Sequence, residues 1–587
     1  MLSASRRYTV DEVVSMMEEN EIEVDSIFIE PPNAHSLSDE DSDEEAGYDV
    51  NRLCGNQLRV VAETNAINDI CDEEPQPEEG MTCSEVKAMI NSMKFMKNKD
   101  ILNRIAIFPN ADYRRYENFS PAELFELFFD DYLFDLIVVE SNRYMKSKNM
   151  GAPDINLDEM KCFFGILLLS GYSHVPSRKM YWEGNSDVKN EAVQKAMRRD
   201  RFDQIMSNLH FADNDKLDPN DKLFKLRPVL RHLSANFRQQ FAHVPEQFLC
   251  YDESMIRYFG SHYMKQFIRG KPLRFGYKVW CLNNAAGYCV DFKIYQGKDG
   301  EIHDSYNTKV GKCASPLIHF IDNFSTEIKD LNFQFFFDNL FTSCSLLCEL
   351  ASRHYGGTGT VREARLPATA KKVLSTKKSF SVQPRGATEF VSEAQNNLLF
   401  GVWMDNKCVN FASNTVPVYP LGTCSRFSRA ERCRKQVQIP NVLKTYNKYM
   451  GGTDLMDQNI GNYRVHIRGK KWYFPIFTWL IDCALQNAWV LKKKSGHDLP
   501  QLQFRRMVAM TYLSKYGSEP KGAGRPSNTR VGSIGGEIRF DGSGHLVQNS
   551  VTRKRCRNSC GSIVRTECAK CKAGLCIPCF QSYHQRK

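Results

Sequence analysis

The apolar residues between about positions 103 and 247 repeat with the spacing of amphipathic helices. Ser120-Pro-Ala-Glu123 predicts the start of one helix, because a serine cap, a first-turn proline and a glutamate at the third position form a capping box. The apolar residues that follow, Leu124, Leu127 and Phe128, share one helical face. Further helices are predicted over residues 157–170, 188–209 and 226–241.

Near residue 248 the pattern changes to short runs of β-branched and aromatic residues bounded by turn residues, which predict β-strands. The four runs begin at Phe248, Tyr277, Tyr288 and Phe333. Helical stretches at about 314–328 and 341–354 alternate with these strands or follow them. This order favours a mixed α/β layer, which is where a catalytic core would lie.

The rest of the chain divides into an insertion, a second helical part and a linker. Residues 365–440 contain Pro, Lys and Thr and then two strand-like runs, 398–404 and 408–413, which predict a β-rich insertion. A helical pattern then resumes and runs through Trp489. A stretch rich in Gly, Pro and Ser over residues 517–544 predicts a linker.

Hydrophobic residues make up 42% of the chain, but no apolar run approaches the roughly 18 residues that span a bilayer. The longest run, Cys162 to Leu169, fits a buried helix, so no membrane partner is expected. The first residues lead into acidic positions instead of an apolar segment, so we expect no secretory signal. A protein inside the cell meets reducing conditions, where closely spaced cysteines more often bind metal than form disulfides.

The net charge of +9 hides a strong asymmetry along the chain. Residues 1–80 carry 22 acidic and 4 basic side chains, a charge of −18, which leaves +27 on the remainder. A basic body attracts nucleic acid through its phosphates, although a solvated basic surface would have the same composition. Residues 1–102 have too little apolar content to fold and predict an acidic, mostly disordered arm. The arm could mimic DNA, dock a partner when phosphorylated, or act only as a solubilising tail.

Four aspartates are candidates for a catalytic metal site. Asp252 follows one predicted strand and Asp338 ends another, so both could project from the same end of a sheet. Asp454 and Asp457 lie three residues apart and would share a helical face. Two hard divalent ions held by such oxygens can activate a water and stabilise a leaving oxygen in phosphodiester cleavage. Among 69 acidic residues, ordinary helix caps and surface pairs would look the same.

Three segments around these aspartates resemble, in order and spacing, the active-site motifs of piggyBac transposases. They are Tyr251-Asp-Glu-Ser-Met-Ile-Arg-Tyr-Phe-Gly260, Phe337-Asp-Asn-Leu-Phe-Thr-Ser343 and Tyr446-Asn-Lys-Tyr-Met-Gly-Gly-Thr-Asp-Leu-Met-Asp457. Arg199-Asp-Arg-Phe202, Asn208-Leu-His-Phe-Ala-Asp213 and Gly359-Thr-Val-Arg362 also resemble family segments. The resemblance extends over about residues 103–587.

The resemblance implies an α/β, RNase H-like catalytic core with an inserted β-rich domain, a largely α-helical DNA-binding and dimerisation domain, and a small cysteine-rich zinc domain. The implied boundaries are 1–102 for the arm, 103–247 and 464–516 for the helical domain, 248–364 and 441–463 for the core, 365–440 for the insertion, 517–544 for the linker and 545–587 for the zinc domain.

It also implies a mechanism. Asp252, Asp338 and Asp454 would bind Mg²⁺ or Mn²⁺, with Asp457 supporting them or binding directly. Such enzymes nick transposon ends, form and reopen DNA hairpins, and join the ends at TTAA targets. We therefore expect a nuclear homodimer that binds terminal repeats and target DNA. The alternative is a derived DNA-binding or chromatin factor that has lost cleavage.

Basic and aromatic residues near these motifs are candidates for DNA contacts. One set interleaves cations with aromatic rings after Asp252: Lys265, Arg269, Lys271 and Arg274. Arg362 matches a basic family position, and a second set follows the last aspartates: Arg464, Arg468, Lys470, Lys471 and Trp472. By resemblance Trp472 would stack on unpaired target bases. A basic strand face and a core tryptophan are the plain alternatives. Gly524-Arg525-Pro526 weakly resembles an AT-hook.

Six of the 20 cysteines lie in the last 32 residues. Their spacing is typical of thiolate zinc sites, which provide folding free energy to modules too short for an apolar core. Two zinc ions need eight ligands, and the candidates are Cys556, Cys560, Cys568, Cys571, Cys576, Cys579, His584 and, as the eighth, His545. By resemblance this module binds transposon-end DNA with Arg553, Lys554, Arg555 and Arg557. Recognition of another protein, including a ubiquitin-ligase role, is the alternative.

Overall fold

The computed structural model describes residues 27–29, 62–64, 83–258, 260, 262–267, 273, 275–297, 300–428, 432–519, 539–558 and 560–585. The chain forms two compact units. Unit 1 comprises residues 1–130, 167–174 and 218–509, and unit 2 comprises residues 131–166, 175–217 and 510–587.

The described strands are β1 (Ile27–Ile29), β2 (Ala62–Thr64), β3 (Met96–Lys97), β4 (Phe248–Arg257), β5 (Gln266–Phe267), β6 (Phe275–Asn284), β7 (Cys289–Ile294), β8 (Gln334–Phe337), β9 (Gly356–Thr360), β10 (Thr388–Glu393), β11 (Leu398–Met404), β12 (Cys408–Ser413), β13 (Gly422–Ser428), β14 (Cys433–Ile439), β15 (Val547–Arg555) and β16 (Ile563–Cys568).

The described α-helices are α1 (Cys83–Ser92), α2 (Pro121–Glu126), α3 (Asp131–Ser147), α4 (Leu157–Ser170), α5 (Glu191–Ala196), α6 (Arg199–Asn208), α7 (Arg227–His243), α8 (Asp304–Val310), α9 (Ser315–Asp322), α10 (Thr326–Lys329), α11 (Cys344–Ser352), α12 (Ala368–Lys371), α13 (Lys377–Phe380), α14 (Asn441–Tyr449), α15 (Gly452–Tyr463), α16 (Phe474–Lys494), α17 (Gln501–Tyr516) and α18 (Ile577–Tyr583). Within the described residues, short 3₁₀ helices span Tyr113–Tyr116, Arg178–Trp182, Asn214–Lys216, Phe224–Leu226 and Glu363–Arg365.

Unit 1 is organised around a mixed β-sheet. Its central strands lie in the order β7, β6, β4, β8, β9. The β7–β6 and β6–β4 pairs are antiparallel, whereas β4–β8 and β8–β9 are parallel. The aromatic runs predicted as strands therefore form the centre of this sheet. β4 and β6 continue further than predicted, because their polar residues, including Ser254 and Asn283, are also buried.

The predicted β-rich insertion continues the same sheet. β12 pairs antiparallel with β9, and β11, β10 and β3 follow in that order. The strands at 398–404 and 408–413 have the predicted bounds. The separate hairpin β13–β14 packs its Val437 and Ile439 into an apolar cluster with Phe390 and Trp403.

Helices cover both faces of the central sheet. On one face Phe292 of β7 lies between Phe237 of α7 and Trp479 of α16, with ring centroids 5.6 and 5.5 Å away. On the other face Tyr251 of β4 contacts Phe320 of α9. α16 is the one described helix long and apolar enough to cross a membrane, and 83% of its apolar window is buried inside the protein, as in a core helix.

Unit 2 combines helices from the middle of the chain with the C-terminal segment. Phe134 of α3 contacts Phe164 of α4 and Tyr512 of α17. The buried Lys161 pairs with Asp131 at 2.9 Å, so its charge is compensated. The predicted helix over 188–209 is two helices, α5 and α6, because Met197 at the end of α5 is extended.

Other predictions near the N-terminus have mixed outcomes. The capping box at Ser120 is present, with Glu123 bonded back to the Ser120 N–H at 2.8 Å. The prediction that the disordered arm extends to residue 102 is wrong at its end, since α1 and β3 form there. Val86 and Met93 are buried, and β3 pairs with β10, so this apolar stretch is part of the fold. Of the rest of the arm the structure describes β1 and β2, and β1 pairs with β5. The AT-hook candidate lies outside the described residues.

Candidate active site and metal-binding module

Asp252 and Asp338 lie side by side at the centre of the sheet. The parallel register of β4 and β8 pairs Tyr251 with Phe337, and the residue that follows each of them in the chain is an aspartate. Asp252 is 8% exposed, and its carboxylate accepts a hydrogen bond from the Glu253 N–H at 2.8 Å. Asp338 begins the turn after β8 and accepts from the Leu340 N–H at 2.8 Å. Both carboxylates are therefore held by local backbone donors.

α15 brings Asp454 and Asp457 to the same strands. The Ser254 hydroxyl on β4 donates to Asp457 Oδ1 at 2.6 Å. Thr453, also on α15, donates to Asn283 Oδ1 of β6 at 2.9 Å. A Cβ on Gly452 would lie 2.2 Å from the Asn284 carbonyl oxygen and 2.8 Å from Cys250 Sγ. The glycine therefore permits the close approach of helix and sheet.

The charges of three of these carboxylates affect the pKa values of two neighbouring side chains, Tyr446 and Cys281. Burial raises the pKa of the Tyr446 hydroxyl, and the charges of Asp338 and Asp252 raise it further. Burial also raises the pKa of the Cys281 thiol well above its usual value, with smaller contributions from Asp457 and Asp252. Asp252, Asp338 and Asp457 thus act electrostatically on one region of the sheet.

The donor set of this site is oxygen only, which suits a hard ion such as Mg²⁺. Asp454 is exposed and Asp338 and Asp457 are partly exposed, so their oxygens are accessible to an ion or a phosphate. Among the described residues, groups of three or more ligand atoms within 4.8 Å of one another occur in the C-terminal segment, and the aspartates are not among them. Asp252, Asp338, Asp454 and Asp457 stay a prediction as metal ligands.

A cleft of about 680 Å³ borders α15. Asp454 and Asp457 line it, together with three of the cations predicted to contact DNA, Arg464, Arg468 and Lys470. Acidic and basic groups therefore lie along one cleft in unit 1, an arrangement suited to a phosphodiester beside a metal site.

The other predicted DNA contacts have different surroundings. Arg362 donates to the side chain of Asn339, the residue after Asp338, at 3.1 Å. Lys265 is buried with its ammonium over the Phe275 ring, and Lys471 lies over Tyr473. Trp472 stacks on His262 with ring centroids 4.4 Å apart, and burial lowers the pKa of that histidine to about 3. The remaining three, Arg269, Lys271 and Arg274, lie outside the described residues.

The eight predicted zinc ligands form two groups of four in unit 2. One group is His545, Cys568, Cys571 and His584, and the other is Cys556, Cys560, Cys576 and Cys579. Within each group the ligand atoms lie within 4.8 Å of one another. The two groups alternate along the chain, so each is completed only when β15, β16 and α18 are folded together. Either group could hold a metal ion, and two zinc ions would fit the donor chemistry.

Hydrogen bonds to one ring nitrogen of His545 and of His584 determine which nitrogen is available to a metal ion. His584 Nδ1 is 3.0 Å from the Arg539 carbonyl oxygen, so this nitrogen carries the hydrogen. His584 Nε2 is buried and without a hydrogen-bond partner, as a nitrogen meant for a metal would be. His545 Nε2 lies 3.0 Å from Asp541, leaving Nδ1 facing Cys568 at 3.3 Å. The Lys570 ammonium, bonded to Asp541, is the largest influence that lowers the pKa of this carboxyl to about 2.

The cations predicted to contact DNA from this module differ in their surroundings. Lys554 pairs with Glu567 of β16. Arg553 and Arg555 are exposed on β15, and Arg557 is partly exposed.

Sequence reasoning missed the residues that hold the ligands in place. Ser254 lies two residues after Asp252, so a strand period would have put both on one face. Asp541 lies four residues before His545, a spacing that could have suggested a carboxylate–histidine pair. The Asn283–Thr453 bond joins residues 170 apart in sequence, and no local pattern indicates it.

Comparison with known proteins shows the family and the fold of the chain. A family model described as Transposase IS4 matches residues 120–489. The chain is 37% identical over 613 residues to human PiggyBac transposable element-derived protein 3, covering 99% of both chains. It is 36% identical over 572 residues to the human derived protein 2, covering 95% of this chain and 93% of that one.

A solved piggyBac transposase synaptic complex with hairpin DNA has the same fold, with a TM-score of 0.56 and 18% identity. The match covers 80% of this chain and 97% of that one. On its sequence matches and its fold, the chain belongs to the piggyBac transposase family.

Proposed function

We propose that the protein is a metal-dependent DNA transposase of the cut-and-paste type. The observation that carries the proposal is how three elements place the predicted aspartates around β4. Asp252 lies on β4, Asp338 directly follows the paired position of the parallel β8, and the Ser254–Asp457 hydrogen bond holds the helix of Asp454 and Asp457 against the same sheet. An ordinary surface pair or helix cap would not need this convergence.

The strand order and directions support an RNase H-like core. Three antiparallel strands, β7, β6 and β4, are followed by the parallel β8 and β9, with Asp252 on β4 and Asp338 directly after β8. In such a core Asp252, Asp338 and Asp454 would hold Mg²⁺ or Mn²⁺, with Asp457 supporting them or binding directly. Bound divalent ions would supply an activated water and stabilise the leaving oxygen at neutral pH.

The protein's own groups position the reactants. Asp252 and Asp338 are fixed by backbone N–H groups, so their oxygens do not have to reorganise when DNA binds. The cations of the cleft hold the phosphate backbone. No side-chain nucleophile is needed, because water opens the first strand and the freed 3′-OH attacks next. The reaction then proceeds through a hairpin, its reopening and joining at TTAA.

The proposal includes two zinc ions in the C-terminal module, a homodimer acting on two DNA ends, and a nuclear location. The module would bind terminal repeats through Arg553, Arg555 and Arg557. Light scattering of the DNA complex tests the dimer, since one protein chain for each pair of ends would contradict it.

The experiment is cleavage and strand transfer with Mg²⁺ on a library of transposon ends flanked by TTAA. We expect hairpin and joined products from the wild type and none from Asp252→Ala or Asp338→Ala. Tight DNA binding with no cleavage across the library would instead favour the alternative, a DNA-binding factor derived from a transposase. The names of the similar human proteins, which are transposable element-derived, keep that alternative open.

A further inference from the structure

Three arginines from two parts of the chain line the cleft beside α15. Arg257 ends β4, the strand of Asp252, whereas Arg464 and Arg468 belong to the segment that follows α15. Asp454 and Asp457 line the same cleft. Arg257 lies in the first aspartate motif, about 200 residues before the other two, and the sequence analysis did not name it as a DNA contact.

Buried polar groups fix the backbone that carries Arg464 and Arg468. The Ser170 hydroxyl accepts hydrogen bonds from the N–H groups of His466 and Ile467, at 3.1 and 3.4 Å. Asp482 Oδ2 accepts from the Val465 N–H at 2.9 Å. The loop backbone is thus anchored on both sides of His466, so the points from which Arg464 and Arg468 extend are fixed before any ligand binds.

The charge of Asp482 is already compensated. Its second oxygen accepts from Arg505 at 2.8 Å, and both side chains of this pair are only 3% exposed. Gly171 lies against the same pair, because a Cβ there would be 2.1 Å from the Tyr463 carbonyl oxygen and 2.6 Å from the Arg505 guanidinium. Asp482 therefore anchors the loop, and it also lines the cleft.

The charges of Arg257 and Arg468 affect the pKa of Arg464. Burial is the largest effect that lowers the pKa of Arg464, and the charge of Arg257 is the next; the charge of Asp482 opposes them, and Arg468 contributes in the lowering direction. Arg464 is partly buried and the other two arginines are exposed, so these like charges cost free energy in the folded protein mainly at Arg464. Such a cost at a rigid, solvent-open site is typical of a place where an anion is bound.

We propose that Arg257, Arg464 and Arg468 form one phosphodiester-binding site, which holds the DNA strand that reaches Asp454 and Asp457. The inference rests on the proposed function and adds to it a positioning residue, Arg257, and a shared target for the three guanidiniums. Guanidinium suits this role because its planar donors can bind phosphate oxygens in pairs.

The test measures binding of a fluorescein-labelled DNA duplex with a TTAA overhang over a range of salt concentrations. We expect Arg257→Gln to weaken binding about tenfold and to lower the slope of log Kd against log salt by about 1, as loss of one phosphate contact does. Arg257→Lys should recover only part of the affinity. Arg114→Gln is the matched control, since Arg114 is highly exposed and pairs with Asp112 away from the cleft.

A double-mutant cycle distinguishes a shared phosphate from separate ones. For Arg257→Gln with Arg464→Gln, we expect the affinity loss to differ by more than about twofold from the product of the two single losses. Arg257→Gln with Arg114→Gln should give the simple product. If the affinity loss of both double variants equalled the product of their single losses, the shared site would be overturned.

Urea unfolding separates DNA binding from folding. Because the variant removes one of three crowded charges, we expect the midpoint of Arg257→Gln to equal or exceed that of the wild type. The inference would be overturned if Arg257→Gln had the same DNA affinity and salt slope as the Arg114→Gln control. It would also be overturned if the weaker binding of Arg257→Gln came with a lower urea midpoint. If the arginine inference fails but the wild-type protein cleaves DNA, the transposase proposal still holds. If DNA binding depends on the three arginines but the protein does not cleave, the proposed catalytic activity is wrong and the phosphate site remains.

Discussion

At the scale of single residues, the chemistry of this protein depends on groups that hold the ligands as much as on the ligands. Asp457 is oriented by Ser254, and His545 by Asp541. A carboxylate left without its donor has more freedom and a poorer geometry for an ion. Small changes at these supporting positions should therefore alter activity or metal affinity while the fold persists.

Ser254→Ala removes the hydroxyl that donates to Asp457. We expect the single-turnover rate of DNA cleavage to fall about tenfold, which corresponds to ~1.4 kcal/mol, while DNA affinity stays the same. Quenched-flow assays with excess protein measure the rate. Ser352→Ala is the control, because that hydroxyl bonds only to a carbonyl of its own helix. Equal rates for the two variants would show that Asp457 needs no support from β4.

Asp541→Asn replaces the carboxylate that orients His545. We expect two zinc ions per chain in both proteins by mass spectrometry, with one of them bound about 10–100-fold more weakly in the variant. Competition with a chelator measures the affinity. His584→Ala should lower the count to one, because it removes a ligand. Two equally tight ions in Asp541→Asn would contradict the role given to this carboxylate.

At the scale of elements, the central feature is the close packing of α15 against β4 and β6. Gly452→Ala would force the helix away from the Asn284 carbonyl and Cys250. We expect a loss of about 1–3 kcal/mol in the free energy of unfolding, together with a large loss of cleavage, since Asp454 and Asp457 move with the helix. Gly451→Ala is the control, with nothing within 4 Å of the added methyl. Equal free energies of unfolding in urea for Gly452→Ala and Gly451→Ala would contradict this close packing of the helix on the strands.

Much of the element pattern could be predicted because its causes are local. The aromatic runs of β4, β6, β7 and β8 were recognisable, and α4 and β11 have the predicted bounds. The division of one predicted helix into α5 and α6 was missed, since it depends on the extended backbone at Met197.

The pairing of elements was not predictable from local pattern. The parallel register that puts Asp252 beside Asp338 joins strands more than 80 residues apart, and the insertion joins the core sheet through β9 and β12. The fold matches that of a solved piggyBac transposase, but spacing along the chain does not determine the order of the strands. The arginine site was missed for the same reason, because Arg257 meets Arg464 only in the folded protein.

At the scale of the whole molecule, residues 1–80 of the arm carry a charge of −18 and the rest of the chain carries +27. The arm can compete with DNA for the basic surface because opposite charges attract at low ionic strength. We expect a protein lacking residues 1–80 to bind DNA about tenfold more tightly at low salt, with the difference shrinking as salt screens the charges. Fluorescence anisotropy measures both affinities. Equal affinities at low salt would make the arm a solubilising tail.

The most direct test of the central claim is the single-turnover cleavage rate of Asp338→Asn on a transposon end recovered from the library, compared with Asp330→Asn. Asp330 is an exposed residue away from the aspartate cluster. The catalytic account predicts that Asp338→Asn binds DNA at least as tightly as the wild type but cleaves at least about a hundredfold more slowly, equivalent to ~2.7 kcal/mol, while Asp330→Asn cleaves normally. Cleavage by Asp338→Asn at the wild-type rate would contradict it.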